Sequence, residues 1–370
     1  MKYVKGLDTL RALAVFFVII EHWGWNPVVK PNTLSAYIEH IFLLKTAFGV
    51  NLFFVLSGFL ITGILLNEKE KYKGKDRFLI IKNFFIRRSL RIFPIYYLFI
   101  LACFLLCFPT VREHLIYFVT YTANILIFRR HHTNEISHVW TLCVEEQFYI
   151  IWPWVIIFVN NKYLKPLFIF TIIVGLASRY VTLYIHHNDF AVLVYQLIDS
   201  FGVGALYAYV RLNDKSRIKF ESGFKVVLPI IIYFALMVAP FPGVAIFRAF
   251  GHVVDSALAL ALIMFAINNK IEWVRKYIME NPVLNYIGRI SYGIYLYHYN
   301  LDPMYNENII PYLKALGVSP AFTGYYFSYG MKLALLLIIC SLSYKFIELP
   351  LLNLKKKFQY GAKKKDAVAS

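Results

Sequence analysis

An arginine and a histidine, Arg11 and His22, stand eleven positions apart in the first apolar segment of the chain. On an α-helix this spacing is about three turns, so the two side chains share one face about 16 Å apart along the axis. Asp8 falls on nearly the same stripe. Because an ionisable residue inside a membrane is costly, this face indicates a base, His22, beyond a cationic anchor, Arg11. The alternative is a snorkelling arginine and a hydrogen-bonded structural histidine.

A cluster of arginines occupies the segment RRSLRIFPIYY, residues 87 to 97. Arg88 and Arg91 are neighbours on one helical face, and Arg87 precedes them. Guanidinium groups bind phosphate through paired hydrogen bonds, so the three arginines are candidates for an anionic cofactor or substrate. Ordinary basic flanking of a membrane helix is the alternative.

Carboxylates and a second histidine complete the set of candidates. Glu145 and Glu146 begin a very apolar helix in HVWTLCVEEQFYIIWP, residues 138 to 153, where they could belong to a site or only complement the helix dipole. His298 ends RISYGIYLYH at a depth comparable to that of His22, and Glu21 directly precedes His22. We treat Asp8, Glu21 and His298 as further candidates, although a lone histidine at a helix end is more often structural. The sequence predicts no metal site.

The elements that must position these residues are membrane helices. The chain has 370 residues, of which 59% are hydrophobic and only 16% charged, which excludes an ordinary soluble globule. The apolar runs are long enough for helices and do not alternate as barrel strands do. We therefore predict an all-α, polytopic membrane helix bundle of about ten transmembrane helices. The predicted spans are 9 to 25, 46 to 66, 92 to 109, 147 to 160, 166 to 184, 191 to 210, 225 to 240, 247 to 268, 284 to 300 and 325 to 345.

The distribution of basic residues predicts the orientation. With the N-terminus inside, the cytoplasmic segments hold about 28 Lys and Arg against roughly 7 outside, so we expect both termini in the cytoplasm. The first helix is expected to be retained because no small-residue cleavage site follows it. We expect residues 1–352 to form one membrane domain and residues 353–370 a basic cytoplasmic tail. The outer segment 110 to 146 is expected to be interfacial or re-entrant. The net charge of +18 indicates contact with membrane lipids rather than nucleic acid, since no nucleic-acid-binding motif accompanies it.

The order of these segments resembles acyltransferase family three, integral membrane enzymes that commonly O-acetylate bacterial surface glycans. The matching segments span nearly the whole chain. They are GLDTLRALAVFFVIIEH (6 to 22), FGVNLFFVLSGFLIT (48 to 62), FFIRRSLRIFPIYY (84 to 97), VWTLCVEEQFYIIWP (139 to 153), SYGIYLYH (291 to 298) and FIELPL (346 to 351). The family's arginine and histidine pattern falls on Arg11 and His22, its arginine motif on Arg88 and Arg91, and its acidic segment on Glu145 and Glu146. The chain departs from it at Asn51, where an acidic residue is expected, and at Thr141, where the family often has serine.

The resemblance implies an O-acetyltransferase in the bacterial cytoplasmic (inner) membrane. The donor would be acetyl coenzyme A (acetyl-CoA), and the acceptor a hydroxyl of a glycan or glycolipid such as lipopolysaccharide O-antigen or exopolysaccharide. His22 would act as general base or as a transient acyl carrier. Glu145 or Glu146 could orient a sugar or a histidine from the external side. Some relatives carry a fused extracytoplasmic esterase-like domain, so this chain would complete the transfer itself or use a separate extracytoplasmic transferase. Two other functions stay open: acylation of a small intracellular acceptor such as an antibiotic, and transport or flipping of a lipid-linked sugar.

Overall fold

The computed structural model describes residues 4–24, 48–73, 76–132, 135–185, 191–212, 214–238, 245–319, 324–355 and 358. Its described part is helical and contains no strand. Ten of its helices have 17 or more residues. They are α1 (Gly6–Trp23), α2 (Phe48–Lys71), α3 (Arg77–Leu105), α4 (Trp140–Phe158), α5 (Asn161–Tyr180), α6 (Val194–Val210), α7 (Asp214–Val238), α8 (Ala245–Asn268), α9 (Pro282–Met304) and α10 (Tyr325–Ser343).

Each long helix overlaps one of the ten predicted spans, so the all-α membrane class is confirmed. Within the described ranges, six helical segments are long and apolar enough to cross a membrane by length and composition. The number of crossings and the sides of the termini stay predictions, as does the division into a domain and a tail. Most of the predicted tail, 353–370, lies outside the described residues.

The predicted outer segment is broken into short helices. Pro109–Glu113, Leu115–Val119 and Ala123–Arg130 follow one another and contain no helix long enough to span a bilayer. The segment is tied to the bundle by the hydroxyl of Tyr96, which donates to the carbonyl oxygen of Phe118 at 2.9 Å. The expectation that this apolar stretch is not a crossing helix therefore agrees with the structure.

Close packing of glycines brings the helices of the candidate site together. A Cβ atom at Gly288 of α9 would collide with the carbonyl oxygen of Asp8 on α1, and one at Gly204 of α6 would collide with that of Val55 on α2. Small residues let membrane helices approach backbone to backbone. α1 and α9 pack closely on one another and meet backbone to backbone at Gly288, which sets the helix of Arg11 and His22 beside that of His298.

Candidate active site

Three arginines of the predicted site line one cavity inside the bundle. Arg11 comes from α1, and Arg88 and Arg91 come from α3. Arg11 forms an ion pair with Asp8, which is only 3% exposed. The guanidinium of Arg88 lies over the ring of Tyr149, 5.1 Å from its centroid, a cation–π contact that holds it against α4. The sequence placed Arg88 and Arg91 on one face of their helix, and the structure turns that face to the cavity.

Glu145 supplies the carboxylate of this cavity. Its Oε1 atom accepts a hydrogen bond of 2.9 Å from the hydroxyl of Ser57 on α2, and that hydroxyl is 3.0 Å from the hydroxyl of Tyr149. The cavity thus holds three guanidinium groups and one carboxylate, with Asp8 already engaged by Arg11. Such an excess of positive charge in a partly dry site favours a bound anion.

Arg87 and Glu146 lie away from the cavity lining. Arg87 is turned toward the end of the chain, and its Nη1 donates to the carbonyl oxygens of Lys355 and Phe358 at 3.3 and 3.1 Å. Consecutive positions on a helix differ by about 100°, which separates Arg87 from the face of Arg88. Glu146 is 6% exposed, and its Oε1 has no hydrogen-bond partner among the described residues.

The two histidines predicted to lie at similar depth meet directly. Nε2 of His298 is 3.0 Å from Nδ1 of His22, and the ring centroids are 4.9 Å apart. His298 is fully buried, and its main-chain oxygen accepts a hydrogen bond from the indole of Trp23 at 2.9 Å. Glu21, the neighbour of His22 in the sequence, has an exposed side chain.

The hydrogen bonds of this pair assign the proton on each ring. Nδ1 of His298 lies 2.7 Å from the carbonyl oxygen of Tyr295, which can only accept, so this nitrogen donates and Nε2 of a neutral ring accepts. Nδ1 of His22 must then donate, and it lies 2.9 Å from the carbonyl oxygen of Val18 as well as 3.0 Å from His298. The free lone pair of His22 is therefore on Nε2, the tautomer that a general base requires.

A partition separates the arginine cavity from the histidine pair. Tyr295 and Thr141 line the cavity. The hydroxyl of Tyr295 donates to the main-chain oxygen of His138 at 2.8 Å and accepts from Thr141 at 2.5 Å. On the other side, the Tyr295 ring is 5.6 Å from the ring of His298. His22 itself does not line the cavity, so one tyrosine ring stands between the two halves of the predicted site.

His138 is a member of this region that the sequence interpretation missed. It is 2% exposed, its Nε2 donates to the carbonyl oxygen of Leu296 at 3.0 Å, and its ring stacks on Tyr299 at 4.8 Å. Its Nδ1 has no partner in the part of the chain that the structure describes. The signal available in the sequence was a histidine just before the acidic segment, two residues ahead of Trp140.

A second buried polar group, also missed, lies between α5, α6 and α8. Arg179 and Asp199 are 2% and 0% exposed and form an ion pair of 2.7 Å. The other oxygen of Asp199 is 3.2 Å from Nδ1 of His252, whose main-chain oxygen accepts from Asn51 at 2.9 Å. Asn51, where the resemblance led us to expect an acidic residue, is thus bound to this group and does not line the arginine cavity.

Comparison with known proteins places the chain in a family. A family model described as an acyltransferase domain matches residues 4–348. The peptidoglycan O-acetyltransferase OatA of Listeria monocytogenes serovar 1/2a (strain EGD-e) is 28% identical over 379 residues, covering 95% of this chain and 56% of that protein. The O-acetyltransferase OatA of Staphylococcus aureus (strain MRSA252) is 26% identical over 400 residues, covering 100% of this chain and 60% of that protein.

The chain therefore spans less than two thirds of the length of these relatives. No solved structure matches it. The family model covers nearly the entire chain, including the segments of Arg11, His22, Arg88, Arg91, Glu145 and His298, and so confirms the resemblance drawn from the sequence motifs. The chain belongs to acyltransferase family three.

Proposed function

We propose that this chain is a membrane O-acetyltransferase that moves an acetyl group from acetyl-CoA to a hydroxyl of a cell-surface glycan or glycolipid. The observation that carries the proposal is the pairing of a cationic cavity with a histidine base beyond it. Arg11, Arg88 and Arg91 line the cavity, and the hydrogen bonds of His22 leave its Nε2 free to accept a proton.

The cavity suits the donor by charge and by shape. Coenzyme A carries phosphate groups on a slim pantetheine arm, and guanidinium groups are the side chains best matched to phosphate. The arginines lie at the end of the bundle predicted to face the cytoplasm, where coenzyme A is found. The cavity is small, with a volume of about 80 Å³, so the pantetheine arm would have to widen it on entering.

The chemistry assigned to His22 is removal of a proton from the acceptor hydroxyl. Nε2 of His22 takes that proton as the oxygen attacks the acetyl carbonyl carbon. The carbon–sulfur bond then breaks, and the leaving sulfur takes the proton from Nε2 of His22 to become the thiol, which returns His22 to its neutral form. His298 accepts a hydrogen bond from Nδ1–H of His22 and so disperses the positive charge that develops on its ring.

Tyr295 and Thr141 must move before a donor in the arginine cavity can reach the histidine pair. In the present arrangement their hydroxyls are bonded to each other and to His138, which separates a thioester in the cavity from His22. We infer that transfer includes a rotation of Tyr295 that opens this partition, a step of the kind that gates many enzymes.

The acceptor is proposed from the relatives and from the predicted topology. The Listeria relative is named a peptidoglycan O-acetyltransferase, so peptidoglycan joins lipopolysaccharide O-antigen and exopolysaccharide among the surface polymers to be tested. The corresponding location is the bacterial cytoplasmic membrane, with a multi-pass topology. A separate extracytoplasmic transferase would accept the acetyl group if this chain does not complete the transfer.

Mass spectrometry of surface glycans tests the proposal. Peptidoglycan, lipid-linked glycans and exopolysaccharide are isolated from cells with and without the gene, and the mass of each repeating unit is compared. We expect one polymer to lose an acetyl increment when the gene is absent and to regain it on complementation. Unchanged acetylation of every fraction would contradict a surface-glycan acceptor.

A further inference from the structure

The proposed transfer develops negative charge on the carbonyl oxygen of the acetyl group. When the acceptor oxygen bonds to the acetyl carbon, one electron pair of the carbonyl double bond moves to its oxygen. Enzymes stabilise such an oxyanion with hydrogen-bond donors that are held in place before the reaction. A donor for this oxygen is needed where the acetyl group passes from the arginine cavity to His22.

Tyr295 stands at this point of the bundle. It lines the arginine cavity, and its ring lies 5.6 Å from the ring of His298, which contacts His22 directly. Tyr295 is 5% exposed. A hydrogen bond from its hydroxyl would therefore form away from bulk water, where it is electrostatically stronger than at a surface.

The hydroxyls of Tyr295 and Thr141 share one acceptor. Tyr295 has a single hydroxyl proton, which it donates to the main-chain oxygen of His138 at 2.8 Å, because a carbonyl oxygen can only accept. Thr141 donates to the Tyr295 oxygen at 2.5 Å, and the same Thr141 hydroxyl lies 3.2 Å from the main-chain oxygen of His138. When Tyr295 turns away, Thr141 can take its place, so this buried oxygen keeps a side-chain donor.

The other hydroxyls that bond across or along the cavity wall are bound in place. They also donate within the protein: Ser57 to Glu145 at 2.9 Å, Ser291 to the main-chain oxygen of Gly288 at 2.9 Å, and Tyr292 to that of Ile92 at 3.4 Å. Tyr295 differs from them because a second hydroxyl already lies within reach of its acceptor. Its proton can be released to a substrate at little cost.

We propose that Tyr295 is a catalytic residue whose hydroxyl leaves His138 and donates to the carbonyl oxygen of the acetyl group as the partition opens. The inference rests on the proposed function, because the group it acts on is the acetyl group of acetyl-CoA. The rotation that removes the partition thus also supplies the oxyanion donor.

The step balances without further groups. Nε2 of His22 takes the acceptor proton as the new carbon–oxygen bond forms, and Tyr295 keeps its own proton while it donates to the oxyanion. When the carbon–sulfur bond breaks, the electron pair of the oxyanion restores the carbonyl double bond. The leaving sulfur takes the proton from His22, and Tyr295 returns to His138.

Transfer kinetics in membrane vesicles test the proposal. Inside-out vesicles are prepared from cells that express the wild type or one variant, so that added acetyl-CoA meets the predicted cytoplasmic face. The acetyl-CoA is labelled in its acetyl group, and label in the glycan fraction gives the maximal rate and KM. We expect Tyr295→Phe to lower the maximal rate about 100- to 1000-fold, as loss of one oxyanion donor does, with KM for acetyl-CoA unchanged.

The same helix offers a matched control. Tyr297→Phe also removes a hydroxyl, which is 3.2 Å from that of Ser343 on α10, but Tyr297 does not line the cavity, so its rate should match the wild type. Thr141→Val should lower the maximal rate by no more than about tenfold, the effect of one neutral hydrogen bond, and Thr141→Ser should restore most of this loss. Immunoblots of the vesicles verify equal amounts of each protein.

Every other outcome contradicts part of this account. If Tyr295→Phe is as fast as the wild type or faster, the ring is only a gate, and the role proposed for its hydroxyl is wrong. A large loss in Thr141→Val with little change in Tyr295→Phe would make Thr141 the oxyanion donor and overturn the proposal. Absence of labelled glycan with the wild-type protein would instead overturn the proposed function, and the role of Tyr295 with it.

Discussion

Nδ1 of His22 lies 3.0 Å from Nε2 of His298, although 276 positions separate the two residues in the sequence. The contact depends on the tight crossing of α1 and α9 at Gly288, where the two backbones touch. It sets the tautomer of His22 and so decides which of its nitrogens can act as a base. His298 is accordingly a positioning residue in the proposed reaction.

Replacing His298 should slow acetyl transfer without weakening the binding of acetyl-CoA. In His298→Leu, Nδ1–H of His22 loses an acceptor that would share its positive charge, and we expect kcat to fall on the order of 10- to 100-fold. In His298→Gln the side-chain oxygen can still accept, so part of the activity should return. Steady-state kinetics distinguishes an effect on turnover from an effect on donor binding. KM for acetyl-CoA should stay near the wild-type value in both variants. A rise in KM with unchanged kcat would assign His298 to binding instead.

Replacing Arg88 and Arg91 of the cavity by lysine should weaken the binding of coenzyme A and leave the fold intact. Arg88→Lys with Arg91→Lys keeps the positive charge that sets topology but removes the paired hydrogen bonds of guanidinium. We expect coenzyme A affinity to fall by about 1 to 3 kcal/mol. Arg77→Lys, at the start of the same helix and outside the arginine cavity, is the control. If the double variant and the control bind coenzyme A with equal affinity, these arginines serve only as the basic flank of a membrane helix.

Loss of Arg179 should destabilise the protein by leaving a buried carboxylate without its main partner. Asp199 is fully buried, so Arg179→Met should lower the free energy of unfolding by about 3 to 5 kcal/mol. The double variant Arg179→Met with Asp199→Leu should recover part of this loss, because no charge is left uncompensated. Thermal unfolding in detergent measures the difference. A single variant as stable as the wild type would mean that Asp199 finds another cation.

The sequence predicted the helices better than it predicted contacts between them. Each long helix overlaps a predicted span because apolar runs of membrane length leave few alternatives. The predicted third span began at residue 92, whereas α3 begins at Arg77. Hydropathy does not detect the start of α3 because its first turns are charged. These turns continue the hydrogen bonds of the helix beyond the apolar core of the membrane.

The candidate site was predicted in part for a similar reason. Arg11, Arg88, Arg91 and Glu145 stood out because charge inside an apolar segment is costly, and all four line one cavity. Arg87 was grouped with them by proximity in sequence, although helical geometry turns it elsewhere. His138 and the pair of Arg179 and Asp199 were missed, because their significance depends on partners from other helices that no local pattern reveals.

The most direct test of His22 as the base compares acetylation by two histidine variants. Cells that lack the gene are complemented with wild type, His22→Ala or His132→Ala, the last an exposed histidine outside the site. Equal membrane insertion is verified by fractionation, and acetyl groups on the surface glycan are measured by mass spectrometry over time. We expect His22→Ala to lower the initial rate at least about 100-fold, as loss of a general base does, with His132→Ala unchanged. Acetylation by His22→Ala at the wild-type rate would contradict the assignment of His22 as the base.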